Sequence, residues 1–178
     1  MKHLSKLAAI LAALVLACAF FGCSDGSDGD QSISLSDGDY TLKIKQSADE
    51  MVEEYDIKAT ASNESLTFKS GSGTVTVDLT KLLKPDELAF FNAMSDAEKK
   101  AEIKGIMESP DDAEISFDGN KVIIKANLSA EELAEMQPYY QLSSIPADAK
   151  IETITDKTEY KVTLFMEGVP VEFHIKKD

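Results

Sequence analysis

Tyr40-Thr41-Leu42-Lys43-Ile44-Lys45 sets Tyr40, Leu42 and Ile44 on one face of an extended chain and Thr41, Lys43 and Lys45 on the other. Successive side chains of a strand point to opposite faces, so this alternation predicts a half-buried strand. The pattern returns at Tyr55, Ile57, Ala59 and Ala61, then at Leu66 and Phe68 after Asn63-Glu64. Gly71-Ser72-Gly73 reads as a turn into a further strand at 74–79, with Val75, Val77 and Leu79 on one face. Ile115 and Phe117 lead into Asp118-Gly119-Asn120, a hairpin signal, and Val122-Ile123-Ile124 returns. Three more strands are expected near 150–155, 159–166 and 169–176, the last two joined around Glu167-Gly168.

Three stretches break the period of two. Lys84-Pro85-Asp86-Glu87 has proline suited to a first helical position and acids suited to the positive helix end. Leu88, Phe90, Phe91 and Met94 supply an apolar stripe behind it. Ser95-Asp96-Ala97-Glu98 is a capping box, so a second helix starts there and runs to about Glu108, with Ile103, Ile106 and Met107 toward the core. Ser129-Ala130-Glu131-Glu132 is another such box, opening a short helix that ends before Pro138.

Together these segments predict an α+β domain: an antiparallel, meandering sheet of eight or nine strands with a two-helix insertion near 84–108 and a short helix near 130–137. Such a sheet can curl into a half-barrel or a lipocalin-like barrel. The lipocalin Gly-x-Trp signature is absent, its nearest string being Gly38-Asp39-Tyr40.

Composition narrows the partners. The chain of 178 residues carries 32 acids against 18 basic residues, all of them lysine, for a formal charge of −14. Without arginine it lacks the side chain best fitted to bidentate phosphate and guanine contacts, and its net acidity opposes the nucleic-acid backbone. Nucleic acid is therefore excluded as an expected partner.

The first residues differ from the rest. Met1 to Lys6 carries Lys2 and Lys6 with no acid, and Leu7 to Phe21 is an apolar run of 15 residues, shorter than a transmembrane span. Both cysteines stand at its end, in Leu16-Ala17-Cys18-Ala19-Phe20-Phe21-Gly22-Cys23-Ser24. In these features the segment resembles a bacterial lipoprotein precursor. That resemblance covers residues 1 to about 30. It implies a diacylglyceryl cysteine, cleavage by signal peptidase II and acylation of the new amino terminus, palmitate being one such acyl chain. Cys23 is the expected anchor and Cys18 the alternative. Cutting at Cys18 would leave apolar Ala19 to Gly22 on the mature side, whereas Cys23 opens directly onto the polar Gly/Ser/Asp stretch at 24–30. The organisation expected is a signal peptide at 1–22, a flexible tether at 23–38 and one domain at 39–178. Two or more acyl chains anchor stably, so the membrane is a partner through lipid. Ser24 after the anchor resembles the signal for the outer membrane where the host has two membranes.

Removing residues 1–22, with Lys2, His3 and Lys6, lowers the net charge to −16 and leaves His174 as the only histidine and Cys23 as the only cysteine. A Cys/His zinc site and a Cys/His nucleophile pair are then out of reach, and no cofactor, metal or catalytic residue is expected. His174 falls on the outward face with Glu172 and Lys176. The Asp-Gly pairs at Asp25, Asp28 and Asp37, with Asp30 and Asp39, lack EF-hand spacing and read as tether. The acid clusters Asp49-Glu50-Glu53-Glu54, Asp111-Asp112-Glu114 and Glu131-Glu132-Glu135 read as solvated faces or helix starts. Tyr139-Tyr140 is the candidate binding pair, since tyrosine joins apolar area to a polar tip.

The function expected is that of an exported, lipid-anchored, non-enzymatic binding domain for a lipid-like or other small apolar ligand. The alternative is a protein-interaction or envelope-structural module, with a carboxylate hydrolase third. The anchor has a direct check in intact mass and globomycin sensitivity: Cys23→Ser abolishes the lipid mass, and Cys18→Ser leaves it in place.

Overall fold

The computed structural model describes residues 31–63, 65–107, 113–137, 145, 148–166 and 169–178. They form strands β1 (Gly38–Ser47), β2 (Met51–Ser62), β3 (Ser65–Asp78), β4 (Glu114–Asp118), β5 (Lys121–Leu128), β6 (Lys150–Thr155), β7 (Glu159–Met166) and β8 (Val169–Lys177). The helices are α1 (Leu79–Leu82), α2 (Pro85–Ala93), α3 (Asp96–Met107) and α4 (Ala130–Met136). The strands hydrogen-bond in the order β4-β5-β3-β2-β1-β8-β7-β6, an antiparallel α+β arrangement that is not closed into a barrel. The expected meander and helical insertion are present, and the lipocalin-like barrel is corrected to an open sheet.

A second correction concerns Gly71-Ser72-Gly73. No turn occurs there: β3 runs straight through, merging two expected strands into one of 14 residues and giving eight strands rather than nine. The apolar parity switches from even at Leu66 and Phe68 to odd at Val75 and Val77, and with the glycines this imitates a break. The glycines serve close packing instead. A Cβ on Gly71 would lie 2.9 Å from Leu128 Cδ1 and 3.3 Å from the Asp56 carbonyl oxygen, and one on Gly73 would lie 3.1 Å from the Tyr55 ring.

The described residues divide into two compact units. One comprises Asp49–Met51 and Thr74–Ala126. Its core joins Val75 and Val77 of β3, Leu79 of α1, Phe91 of α2, Ile103 of α3, Ile115 of β4, and Val122 and Ile124 of β5. Asp78 ends β3 by capping α1, its carboxylate accepting from the Thr80 amide at 3.0 Å. The α3 capping box forms as its sequence predicts: the Ser95 amide donates to Glu98 at 2.8 Å and the Glu98 amide donates back to Ser95 Oγ at 3.4 Å. Gly119, at φ 58°, takes the positive angle that a primed hairpin turn needs between β4 and β5.

The other unit comprises residues 31–48, Val52–Gly73 and Asn127–Asp178. In β1, Tyr40, Leu42 and Ile44 stand opposite Ala59, Ile57 and Tyr55 of β2, while Leu42 and Ile44 also oppose Ile175 and Phe173 of β8. The same face continues into Tyr160, Val162 and Leu164 of β7. Its opposite face carries a cross-strand row Asp56, Lys43, His174, Lys161 and Glu152, in which acids stand beside lysines as favourable cross-strand pairs do. α4 forms behind the predicted Ser129–Glu132 box, and its last-turn neighbour Gln137 accepts from the Phe68 amide at 2.7 Å and donates to the Leu66 carbonyl.

The segment 31–37, expected as part of the tether, is packed. Ile33 and Leu35 are buried, Gln31 exchanges two backbone hydrogen bonds with Ile145, and the Ser36 amide donates to the Lys157 carbonyl at 2.9 Å. The buried Tyr40 hydroxyl lies 2.9 Å from the carbonyl oxygens of both Ser36 and Lys157, which share its one proton, and this fixes the segment to the β6–β7 turn.

Ile103 is fully buried and should carry the packing of α3. Ile103→Ala is expected to cost about 2–5 kcal/mol in urea unfolding, whereas Ile154→Ala on exposed β6 should stay within about 0.5 kcal/mol.

Candidate functional site

On α2, residues three apart share a face, so Leu88, Phe91 and Met94 turn together toward the core of the first unit. Phe91 is 4% exposed and meets Phe117 edge to face, ring centres 6.1 Å apart. Phe90 is adjacent in sequence, rotated about 100° around the helix, and cannot follow. It stands 69% exposed, which corrects its expected place in the apolar stripe. An exposed phenylalanine beside a buried one is the least economical feature of the unit, and a cleft lies against it.

The two-residue link Met94-Ser95 sends the chain back as α3, so the helices form a fork. Phe90, Ala93 and Met94 of the first limb and Glu98, Ala101 and Glu102 of the second line a cleft of about 570 Å3 that is open to solvent. Glu98, Ala101 and Glu102 share one helix face at i, i+3 and i+4, while Ile103 points into the core. Both Ser95 hydrogen bonds, from its hydroxyl at 2.6 Å and its amide at 2.8 Å, hold the Glu98 carboxyl below the usual glutamate range. The opposite flank of α3 is quiet: the Lys99 ammonium lies 5.7 Å from the Phe91 ring centre and 5.6 Å from that of Phe117. The cleft lining offers apolar contact area and carboxylates, without hydroxyl, thiol or imidazole.

The residues chosen from sequence fall elsewhere. Cys18, Cys23, Tyr139 and Tyr140 lie outside the described residues, as do Asp25, Asp28, Asp30, Asp111 and Asp112. His174 is on the polar face as expected, half-buried, with Nε2 2.8 Å from Glu159 Oε1. Lys176 approaches the same oxygen at 3.8 Å, so Glu159 is shared between two basic groups. Asp37 accepts from the Asn63 amide at 3.1 Å, and Asp39 pairs with Lys69 at 3.1 Å and with the Thr60 hydroxyl at 2.6 Å. Among the described residues no three metal-capable side chains cluster.

Glu53 departs from its expected solvated face. It is 4% exposed on the inward side of β2, and its one side-chain partner among the described bonds is the Tyr55 hydroxyl, which donates at 3.0 Å. Burial raises its pKa, and the Tyr55 bond offsets only part of that rise. The signal was present in the alternation, since Glu53 has the parity of Tyr55, Ile57, Ala59 and Ala61.

Compared with family models, curated proteins and solved structures, the chain gives no match. The fold class is an open antiparallel α+β sheet with a helical fork.

Raising the pKa of Glu53 on folding means that the native state holds its proton more tightly than the unfolded chain. Stability therefore falls as pH rises from the ordinary glutamate value through the raised one, and stays lower above it. Glu53→Gln should unfold at higher urea than the parent at about pH 7, and the gap should close at about pH 4. A gap that is the same at both pH values would contradict a buried, ionisable Glu53.

Proposed function

We propose that the chain is an exported lipoprotein, anchored through Cys23 in the cell envelope, whose folded part is a non-enzymatic protein-interaction module with the α2–α3 fork as its contact. In a host with two membranes, Ser24 directs it to the outer one. The observation that carries this reading is Phe90, a large aromatic held in water beside an open apolar cleft. Keeping that ring exposed forgoes about 1.5–3 kcal/mol of burial, which a docking partner recovers by covering it.

An open cleft suits a side chain presented by another protein, because the partner's own surface completes the enclosure. Small-molecule sites bury most of their ligand, and this cleft does so only if the ligand is short. A small apolar or lipid-like ligand in the same place is the second reading, favoured by Phe90, Ala93, Met94 and Ala101 in the lining. The non-enzymatic assignment draws on composition, since beyond residues 1–22 His174 is the only histidine and Cys23 the only cysteine.

Placing p-benzoylphenylalanine at Ala101 of the full chain, in the native envelope, puts a photoreactive ketone in the fork. Irradiation should give a discrete protein-sized adduct that disappears when Phe90→Ser is added. A lipid-sized adduct would move the assignment to the second reading, and an adduct pattern indifferent to Phe90→Ser would remove the fork as the contact.

A further inference from the structure

The chemistry of the fork points beyond contact to the kind of partner, an inference that rests on the interaction-module reading. One limb presents Phe90 and Met94; the other presents Glu98 and Glu102, one helical turn apart and about 6 Å along the axis. Between them Ala93 and Ala101 leave room for a close approach. We infer that the occupant of the α2–α3 fork is a cationic amphipathic segment of a partner protein, its apolar side chain seated against Phe90 and Met94 and its lysine or arginine side chains paired with Glu98 and Glu102.

Four features of the molecule argue for this occupant. The acidic pair faces the cleft on the same helix face as the alanine between them, so any apolar group entering the fork brings its flanking groups beside two carboxylates. A fatty-acid carboxylate or a phosphate headgroup placed there would meet like charge, at a cost that grows as the partner excludes water. Lys99 is held over the Phe91 and Phe117 rings on the other flank and is not among the residues lining the fork. The excess of 32 acids over 18 lysines adds a long-range field that speeds the approach of a basic segment. Carboxylates spaced one turn apart match basic residues spaced i, i+4 on a helix laid in the groove, the usual form of helix-in-groove recognition.

The test uses two synthetic peptides of about fourteen residues with the same leucine face, one with lysine and one with glutamate on the polar face, each carrying one tryptophan. The chain has no tryptophan, so the emission comes from the peptide alone, and the change each peptide shows in protein-free micelles is subtracted. With the full chain in zwitterionic micelles, the lysine peptide should bind about tenfold tighter than the glutamate peptide, and the preference should shrink as salt is raised. Phe90→Ser should weaken both peptides, whereas Glu98→Gln with Glu102→Gln should remove only the preference. Glutamine preserves the acceptor in the Ser95 cap, and far-ultraviolet circular dichroism checks that each variant folds. Carbodiimide coupling of the lysine peptide should concentrate on Glu98 and Glu102.

Equal binding of the two peptides, with Phe90 still required, would overturn the cationic partner and leave the interaction module standing. Binding of the lysine peptide that ignores Phe90→Ser, with couplings spread over the acidic surface, would overturn the seating in the fork. Failure of both peptides to bind would overturn the amphipathic segment, and the Ala101 photoadduct separately decides whether the fork docks a protein at all.

Discussion

Much of the second unit depends on the register of β1 between β2 and β8. Leu42 stands opposite Ile57 on one side and Ile175 on the other, and Ile44 opposite Tyr55 and Phe173. Sliding β1 by one residue would carry Lys43 and Lys45 onto the apolar face and expose Tyr40, Leu42 and Ile44. Each large apolar side chain so exposed forfeits about 1.5–3 kcal/mol, and each buried lysine would cost more. The same register builds the opposite face, where Lys43 falls between Asp56 and His174, and it positions the Tyr40 hydroxyl to hold the packed segment 31–37.

The polar sheet face of the second unit and the helical fork of the first differ in what each offers a partner. The polar side of β1, β8 and β7 is internally matched: Glu159 is shared by His174 and Lys176, and Lys45 pairs with Glu54 at 3.1 Å. Such pairs keep a sheet face solvated and contribute little to recognition. The helical fork of the first unit is not matched in this way. It combines an uncovered aromatic ring on the nine-residue α2 with acids on the facing wall from the twelve-residue α3, and each helix, having one buried stripe, turns other side chains to water.

Glu53 marks a different kind of site. It occupies an inward position that its neighbours fill with Ile57, Ala59 and Ala61, and its carboxyl carries a desolvation cost that the Tyr55 hydroxyl only partly offsets. The strand alternation made this position legible, yet its place in a run with Asp49, Glu50 and Glu54 reads as surface. Periodicity outranks local charge here because the unbroken register of β2 with β1 keeps every second residue of β2, Glu53 included, on the inward face. Phe90 illustrates the converse: counting apolar residues puts it in the core, whereas the 100° step between adjacent helical residues separates it from Phe91.

Short-range physics specifies most strand bounds through a period of two, the two capping boxes at Ser95 and Ser129, the Gly119 hairpin turn, and the polar setting of His174. Only the tertiary structure decided that β3 passes unbroken through Gly71 and Gly73, that the sheet stays open, that Ile33 and Leu35 pack, and that Phe90 meets Glu98 and Glu102 across a cleft. These depend on neighbours distant in the chain: the Tyr55 ring and Leu128 that press against the glycines, Lys157 beneath Tyr40, and a helix reversal that brings two short faces together. Alternation states which way a side chain points, and only the partner strand or helix states what it meets there.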